Sequence, residues 1–194
     1  MPNSQIPAQP GPQYISVDIE TAGPNPSTYS LLTIGACTVE EKPTTLYMEL
    51  KPVNNKMTPE SYALHHLDLK RLSERGLDPE RAMRDFDDWI QSVTTNGRSP
   101  IFVGFNAPFD WMFVCDYFHR FLGRNPFGHA AVDIKAFYMG LTGAPWSETG
   151  MARLASRYLG ERTMTHHALR DALDQADMFH QMLDEARGLS NHRA

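Results

Sequence analysis

The chain has 194 residues, of which 41% are hydrophobic and 21% charged, a composition ordinary for one globular domain. Its formal net charge of −5 argues against a protein that coats nucleic acid through bulk electrostatics, because such domains usually have a high pI. There is no apolar run near the ~20 residues of a membrane span and no signal-peptide pattern, so we expect a cytoplasmic protein without membrane contact. The cysteines, Cys37 and Cys115, are predicted to be free thiols.

The N-terminal part of the chain predicts a tail followed by a group of strands. Residues 1–12 are rich in proline and lack hydrophobic periodicity, which predicts a flexible tail ahead of one domain over residues 13–194. A stretch rich in β-branched residues at 14–20 predicts the first strand. Two further strands, separated by a charged turn, predict an antiparallel meander with the first, at 31–39 and 44–53.

Helix signals follow the meander. Thr58 as N-cap, followed by a proline, predicts a helix that runs to Arg75. Asp78-Pro79 repeats the start signal for a second helix, and the apolar run at 100–105 predicts a buried central strand. The remaining predicted elements are a helix at 109–122, a strand at 130–133, and helices at 134–140, 148–159 and 167–186. This order predicts an α/β fold, a mixed five-stranded sheet flanked by helices.

Four acids form a candidate site. Asp18 and Glu20 lie two apart on the first strand, so their side chains leave the same face of the sheet. An unpaired buried carboxylate is costly there, and a shared cation is the simplest partner. Asp110 follows the strand at 100–105, where α/β proteins gather ligands, although a helix-capping role explains it equally well. Asp171 lies in an amphipathic helix, where a solvated acid is the ordinary interpretation.

The ligand types indicate the metal. Carboxylates with no cysteine and at most one histidine favour Mg²⁺ or Mn²⁺ over zinc. Two such ions ~3.5–4 Å apart are a recurring device for in-line displacement at phosphorus. Four carboxylates and one histidine are what that device requires.

Three motifs resemble those of the DEDD exonuclease superfamily, in its DEDDh branch, which has a histidine in the third motif. They are Val17-Asp18-Ile19-Glu20-Thr21, Phe105-Asn106-Ala107-Pro108-Phe109-Asp110 and His166-x-x-x-x-Asp171. They occur in the order and at the spacing of the superfamily. Within it the chain most resembles ribonuclease T, over the segments 18–23, 31–35, 106–110 and 124–127.

This resemblance implies a ribonuclease-H-like fold and hydrolysis of phosphodiester bonds at 3′ ends, with RNA the favoured nucleic acid. Two Mg²⁺ ions, which Mn²⁺ can replace, are expected on Asp18, Glu20, Asp110 and Asp171. The expected partners are single-stranded nucleic acid or 3′ overhangs and a second subunit, in a homodimer where one subunit's basic surface serves the other's active site. A DNA-directed proofreading-type exonuclease and a catalytically silent nucleic-acid-binding subunit remain alternatives.

Two adjacent histidines compete for the role of general base. The family pattern assigns it to His166, five residues before Asp171, and histidine is well suited to proton transfer near neutral pH. If the helix included both, His167 would share the face of Asp171. Thr165 as N-cap would leave His166 at the helix boundary, so we favour His166.

Substrate contacts are expected at positions that match the family and at nearby basic residues. These are Thr21, Ala22, Asn106, Phe127, Arg120 and Arg124. Phe127 could supply a stacking surface, although an apolar loop anchor would look the same. Pro24 and Leu64 depart from the family, because ribonuclease T has aromatic residues that stack on bases at the corresponding places.

Overall fold

The computed structural model describes residues 11–160, 162 and 165–191, and among these five strands form one sheet. The strands are β1 (Gln13–Thr21), β2 (Leu31–Thr38), β3 (Thr45–Glu49), β4 (Pro100–Gly104) and β5 (Ala131–Asp133). Their order in the sheet is β3-β2-β1-β4-β5, antiparallel from β3 to β1 and parallel from β1 to β5. The predicted meander and the mixed five-stranded sheet are confirmed. The tail predicted at 1–12 lies outside the described residues except for its last two.

Seven α-helices cover the sheet in the described part of the chain. They are α1 (Pro59–His65), α2 (Leu69–Arg75), α3 (Pro79–Val93), α4 (Pro108–Leu122), α5 (Ile134–Thr142), α6 (Met151–Tyr158) and α7 (Ala168–Asn191). Thr58 and Asp78 cap α1 and α3 with their side chains, as predicted. None of the helices in the described ranges has both the length and the apolar character of a membrane span.

The single helix predicted over 58–75 was wrong, because the chain turns at His66, whose φ of 55° ends α1. The neighbouring His65 holds this turn. Its Nδ1 accepts the N–H of Leu67 at 3.0 Å, so Nε2 carries the proton and donates to the carbonyl of Thr21 at 3.1 Å. The turn therefore fastens the end of α1 to the end of β1.

Two other predicted boundaries shift. The strand predicted to reach residue 53 ends at Glu49, and Pro52 just beyond it lacks the N–H that a ladder needs. The helix predicted at 148–159 begins only at Met151, because Gly150 is extended and separates α6 from a 3₁₀ turn at Trp146–Glu148.

The two faces of β1 meet different layers. Ile15 and Val17 belong to the core under α3 and α4, whereas the hydroxyl of Ser16 donates to the carbonyl of Ala172 in α7 at 2.8 Å. Since side chains alternate along a strand, Asp18 and Glu20 point to the same side as Ser16. Helix α7 therefore covers the face that carries both acids.

Gly35 of β2 lets α7 approach the sheet closely. A Cβ atom at this position would lie 2.2 Å from the backbone carbon of Ala168 and from the nitrogen of Leu169. No side chain fits at that distance. The first turn of α7, which contains Asp171, therefore rests directly on the backbone of β2.

Candidate active site

Asp18 and Asp110 come together at the end of the central strand. Asp18 is buried on β1, and Asp110 is buried in the first turn of α4, the helix that follows β4. The backbone N–H of Ile19 donates to Oδ1 of Asp110 at 3.2 Å. This bond joins the first and second sequence motifs, so Asp110 lies in the acidic cluster and does more than begin a helix.

Asp171 is fully buried, which excludes the interpretation of a solvated helix acid. Its Oδ1 accepts the backbone N–H of Thr165 at 2.9 Å and the hydroxyl of Thr165 at 3.1 Å. Its Oδ2 is also buried and has no hydrogen-bond partner among the described residues. A buried carboxylate oxygen without a partner requires a cation or a proton.

His166 and His167 occupy different environments. His166 is exposed and has a φ of 51°, in the turn ahead of α7. Ligand atoms of Glu20, His166 and Asp171 all lie within 4.8 Å of one another. His167 instead stacks on Tyr47, with ring centres 4.8 Å apart. The imidazole beside the acids is therefore that of His166.

The start of α7 differs from the expectation that Thr165 caps it. The carbonyl of His167 accepts the N–H groups of Arg170 and Asp171, so the helix begins at Ala168. The hydroxyl of Thr165 is bound to Asp171, three residues inside the helix. Both histidines lie outside the helix, and the argument from a shared helical face does not apply to them.

Gln175 is a member of the site that sequence reasoning missed. Its Oε1 accepts the N–H of Phe105 at 3.0 Å, and its Nε2 donates to Oδ1 of Asp18 at 2.7 Å. Because an N–H can only donate, Phe105 fixes which end of the amide faces Asp18. A buried glutamine one turn after Asp171 was the available signal, but glutamine is common on helices.

Burial and mutual repulsion raise the pKa values of three acids. The pKa of Asp18 is raised well above its usual value, first by burial and then by Asp110, Glu20 and Asp171, against the opposing bond from Gln175. Burial also raises the pKa of Asp110, although backbone N–H groups oppose it. Burial, followed by the charge of Asp171, raises the pKa of Glu20 to about 7. The cluster is short of positive charge.

The donor set fits hard divalent cations. Glu20, His166 and Asp171 offer two carboxylates and one imidazole, the free Oδ2 of Asp171 is buried, and the carboxylates of Asp18 and Asp110 lie next to this group. Oxygen-rich sites of this kind suit Mg²⁺ or Mn²⁺. A divalent ion would also remove the repulsion that raises the pKa values of the acids.

A cavity of about 380 Å³ opens beside Glu20. Its walls come from the loop after β1, from α1 and from α4, and they include Thr21, Pro24, Leu64, His65 and Phe109. Of the residues expected to contact substrate, Thr21 lines this cavity. Ala22 is fully buried and is not among the cavity-lining residues. Asn106 is exposed in the loop between β4 and α4, with a φ of 59°.

Phe127 lies in the core, and its interpretation as a stacking surface was wrong. Only 6% of the residue is exposed, and its ring packs edge-on against Phe86, Phe102 and Phe118. Neither face is open to a base. The alternative, an apolar anchor of the loop after α4, describes its position.

Arg120 and Arg124 lie far from the acidic cluster. Arg120 follows Asp110 along α4 by 10 residues, which at ~1.5 Å per residue means roughly 15 Å, and Arg124 lies beyond the end of that helix. Arg120 pairs with Asp116 and donates to the carbonyl of Pro26, and Arg124 pairs with Asp87. A contact with the reacting phosphate at the cluster of the same subunit is therefore out of reach, and their expected contact with substrate elsewhere stays a prediction.

Comparisons with known proteins agree with this geometry. The sequence profile of the RNase T exonuclease family matches residues 15–179. The chain is also 44% identical over 166 residues to the 3′–5′ DNA exonuclease Cap18 of Escherichia coli, covering 86% of this chain and 89% of that protein.

Solved structures share the fold. The nuclease domain of 3′hExo, a DEDDh family member bound to rAMP, superposes with a TM-score of 0.73 at 14% identity, over 89% of this chain and 92% of that one. E. coli Exonuclease I in complex with a dT13 oligonucleotide gives a TM-score of 0.71 at 15% identity, over 93% of this chain and 43% of that chain. At such identities the likeness shows the ribonuclease-H-like exonuclease fold.

Proposed function

The chain belongs to the DEDDh family of 3′–5′ exonucleases, and from this premise we propose that it removes mononucleotides from the 3′ ends of single-stranded DNA with two Mg²⁺ ions. The observation that carries the proposal is the meeting of Glu20, His166 and Asp171 within 4.8 Å, next to the buried pair Asp18 and Asp110. The four acids and the histidine of the family motifs are all present.

Each side chain has a role in the proposed reaction. Asp18, Glu20, Asp110 and Asp171 hold the ions, which when bound supply activation of water and neutralisation of charge at the phosphate. His166 accepts a proton from the attacking water, and its exposed position in front of α7 suits exchange of that proton with solvent. Hydrolysis leaves a nucleoside 5′-monophosphate and a strand with a new 3′-hydroxyl.

The cavity beside Glu20 is where the 3′-terminal nucleoside would lie. Its volume of about 380 Å³ lies in the range of small-molecule sites, and Pro24, Leu64 and Phe109 give it apolar walls. The phosphate on the 5′ side of this nucleoside would then face the acids at the mouth of the cavity. Stacking of a base on Phe109 and apolar contacts with Pro24 and Leu64 favour no particular base.

We propose DNA as the preferred substrate over RNA because the relative with 44% identity is a DNA exonuclease. The resemblance of the sequence motifs to ribonuclease T favours RNA. A homodimer likewise remains a prediction from that resemblance, and light scattering of the purified chain measures it directly.

The test uses single strands of DNA and RNA, labelled in turn at the 3′ and at the 5′ end. With Mg²⁺ we expect early release of the 3′ label as a mononucleotide, stepwise shortening of the 5′-labelled strand, and faster cleavage of DNA. Excess EDTA should stop both. A circular single strand should survive, since it has no end.

Asp110→Asn is the matching inactive variant, because an amide oxygen can still accept the N–H of Ile19 while the ligand charge is lost. Asp85→Asn, which changes a half-buried acid of α3 paired with Arg81, is the control and should keep full activity. Turnover in EDTA, cutting of circles, or full activity of Asp110→Asn would contradict the proposal.

A further inference from the structure

An aromatic and basic surface lies beside the acidic cluster, and no part of the proposed reaction uses it. We call Phe105, Lys135 and Trp146 the Trp146 platform. Trp146 stands in the 3₁₀ turn after α5 and is 55% exposed, an unusual exposure for so large an apolar side chain. The Nζ atom of Lys135 lies 4.2 Å from the centre of a Trp146 ring and 5.9 Å from that of Phe105. The ammonium group therefore lies near both aromatic side chains.

The platform is tied to the active site through short connections. Phe105 directly precedes Asn106, and its N–H is bound to Gln175, whose amide holds Asp18. On the other side, Lys135 belongs to the first turn of α5, and Asp133 at the head of that helix accepts the N–H of Ala107. Both connections lead to the loop between β4 and α4, which carries the second motif. A nucleic-acid strand whose 3′ end lies at the acids can therefore reach the platform.

The charge on the platform is available to a ligand. No ion pair joins Lys135 to an acid among the residues that the structure describes. The two arginines expected to contact substrate differ in this respect, because Arg120 pairs with Asp116 and Arg124 pairs with Asp87.

The combination of groups indicates the class of ligand. Sites that bind single-stranded nucleic acid without sequence preference combine cations along the backbone with aromatic rings on which bases stack. More than half of Trp146 stays exposed with Lys135 in place, which leaves ring surface for a base. A protein partner would call for a larger apolar area than this one indole offers.

We propose that the Trp146 platform binds the substrate strand upstream of its 3′-terminal nucleotide, with a base stacked on Trp146 and a backbone phosphate on Lys135. This inference rests on the proposed function and adds a second binding region to it. The platform binds the strand upstream of its end, whereas the acids and the cavity bind the 3′-terminal nucleotide. It therefore favours oligonucleotides over a single nucleotide ester.

The experiment compares two substrates, the p-nitrophenyl ester of thymidine 5′-monophosphate and an oligothymidylate, each with Mg²⁺. Trp146→Ala should leave kcat/KM for the ester unchanged, because Trp146 does not touch the acids or line the cavity. On the oligothymidylate it should raise KM by about five- to a hundredfold, the usual effect of losing one stacked base. Trp146→Phe should keep most of the affinity, since a ring remains.

Lys135→Ala tests the phosphate contact. It should also spare the ester, and on the oligothymidylate it should lower the slope of log KM against log salt by about 0.7, the change for one phosphate on a single strand. The controls are Leu77→Ala, at another exposed apolar residue, and Lys51→Ala, at another exposed lysine. Both should behave as the wild type with either substrate.

The outcomes separate this inference from the proposed function. If the wild type cleaves both substrates but Trp146→Ala cleaves the oligothymidylate equally well, the platform does not bind the strand. Equal losses on both substrates, a Trp146→Phe variant as weak as Trp146→Ala, or an unchanged salt slope in Lys135→Ala would also overturn it. A wild type that cleaves neither substrate would overturn the proposed function itself.

Discussion

Gln175 donates a 2.7 Å hydrogen bond to Asp18, although 157 residues separate the two in the chain. The bond leaves one oxygen of the Asp18 carboxylate occupied and the other available to a cation. A neutral amide is suited to this place, since a lysine would compete with the ions and a glutamate would add a further negative charge. Gln175 therefore orients Asp18 without changing the charge of the site.

Gln175→Met should weaken binding of Mn²⁺ by roughly ten- to a hundredfold, the range for the loss of a hydrogen bond to a metal ligand. Methionine fills a similar volume but cannot bond to Asp18 or to Phe105. Titration calorimetry with Mn²⁺ measures the affinity. Gln181→Met, which changes an exposed glutamine of α7 bonded to Tyr158 and Asp177, is the control. Equal affinities in the two variants would remove this role from Gln175.

His166→Ala should slow the chemical step by about 10²–10⁴-fold, as expected for loss of a general base, and should still bind metal through the four acids. His167→Ala should lose much less, because it removes the stack on Tyr47 and leaves its backbone carbonyl in place for α7. Single-turnover assays at saturating Mg²⁺ measure both rates. A larger loss in His167→Ala would transfer the role to that residue.

Gly35→Ala should push the start of α7 away from the sheet, because the added Cβ would lie 2.2 Å from the backbone of Ala168. We expect a loss of about 1–3 kcal/mol in the free energy of unfolding, together with a fall in activity. Gly140→Ala is the control, since a Cβ on that residue of α5 meets nothing within 4 Å. Urea unfolding and turnover of both variants give the comparison, and an unaffected Gly35→Ala would refute the close approach.

Stability of the metal-free protein should depend on pH through Glu20, whose pKa is raised from 4.5 to about 7 in the folded chain. An acid with a raised pKa favours folding below its unfolded value, and this contribution is lost as the pH rises through the folded value. In EDTA, Tm of the wild type should therefore fall relative to that of Glu20→Gln between about pH 4.5 and pH 7.

Addition of Mg²⁺ at pH 7 should restore the Tm of the wild type more than that of Glu20→Gln, because the ion replaces the proton as partner of the carboxylate. Glu74→Gln changes an exposed acid of α2 and should follow the wild type at every pH. A constant difference in Tm between wild type and Glu20→Gln across this range would contradict the prediction.

Sequence reasoning located the elements that periodicity and capping define. The alternation in β1 placed Asp18 and Glu20 on one face, and the apolar run of β4 placed Asp110 at its end. The break at His66 was missed, because the local sequence continues a helical pattern and the turn depends on a bond from His65 to the distant Thr21. Tertiary contacts decide such turns.

The same limit applies to single side chains of the site. An isolated phenylalanine in a loop gives no sign of its burial, and the role of Phe127 depended on α3 and β4 packing around it. The place of Gln175 depended on α7 crossing both β1 and β4. Such assignments need the distances between elements far apart in sequence, which no local pattern contains.

The placement of Asp171 has a consequence for how the protein is made. Asp18 lies on the first strand, whereas Asp171 belongs to α7, the last helix of the described chain, and His166 lies in the turn just before that helix. A growing chain on the ribosome can pair its strands and bury much of its core before α7 emerges. In the proposed assignment it then lacks both the fourth acid and the base, so nuclease activity must wait until the segment with His166 and α7 has been made.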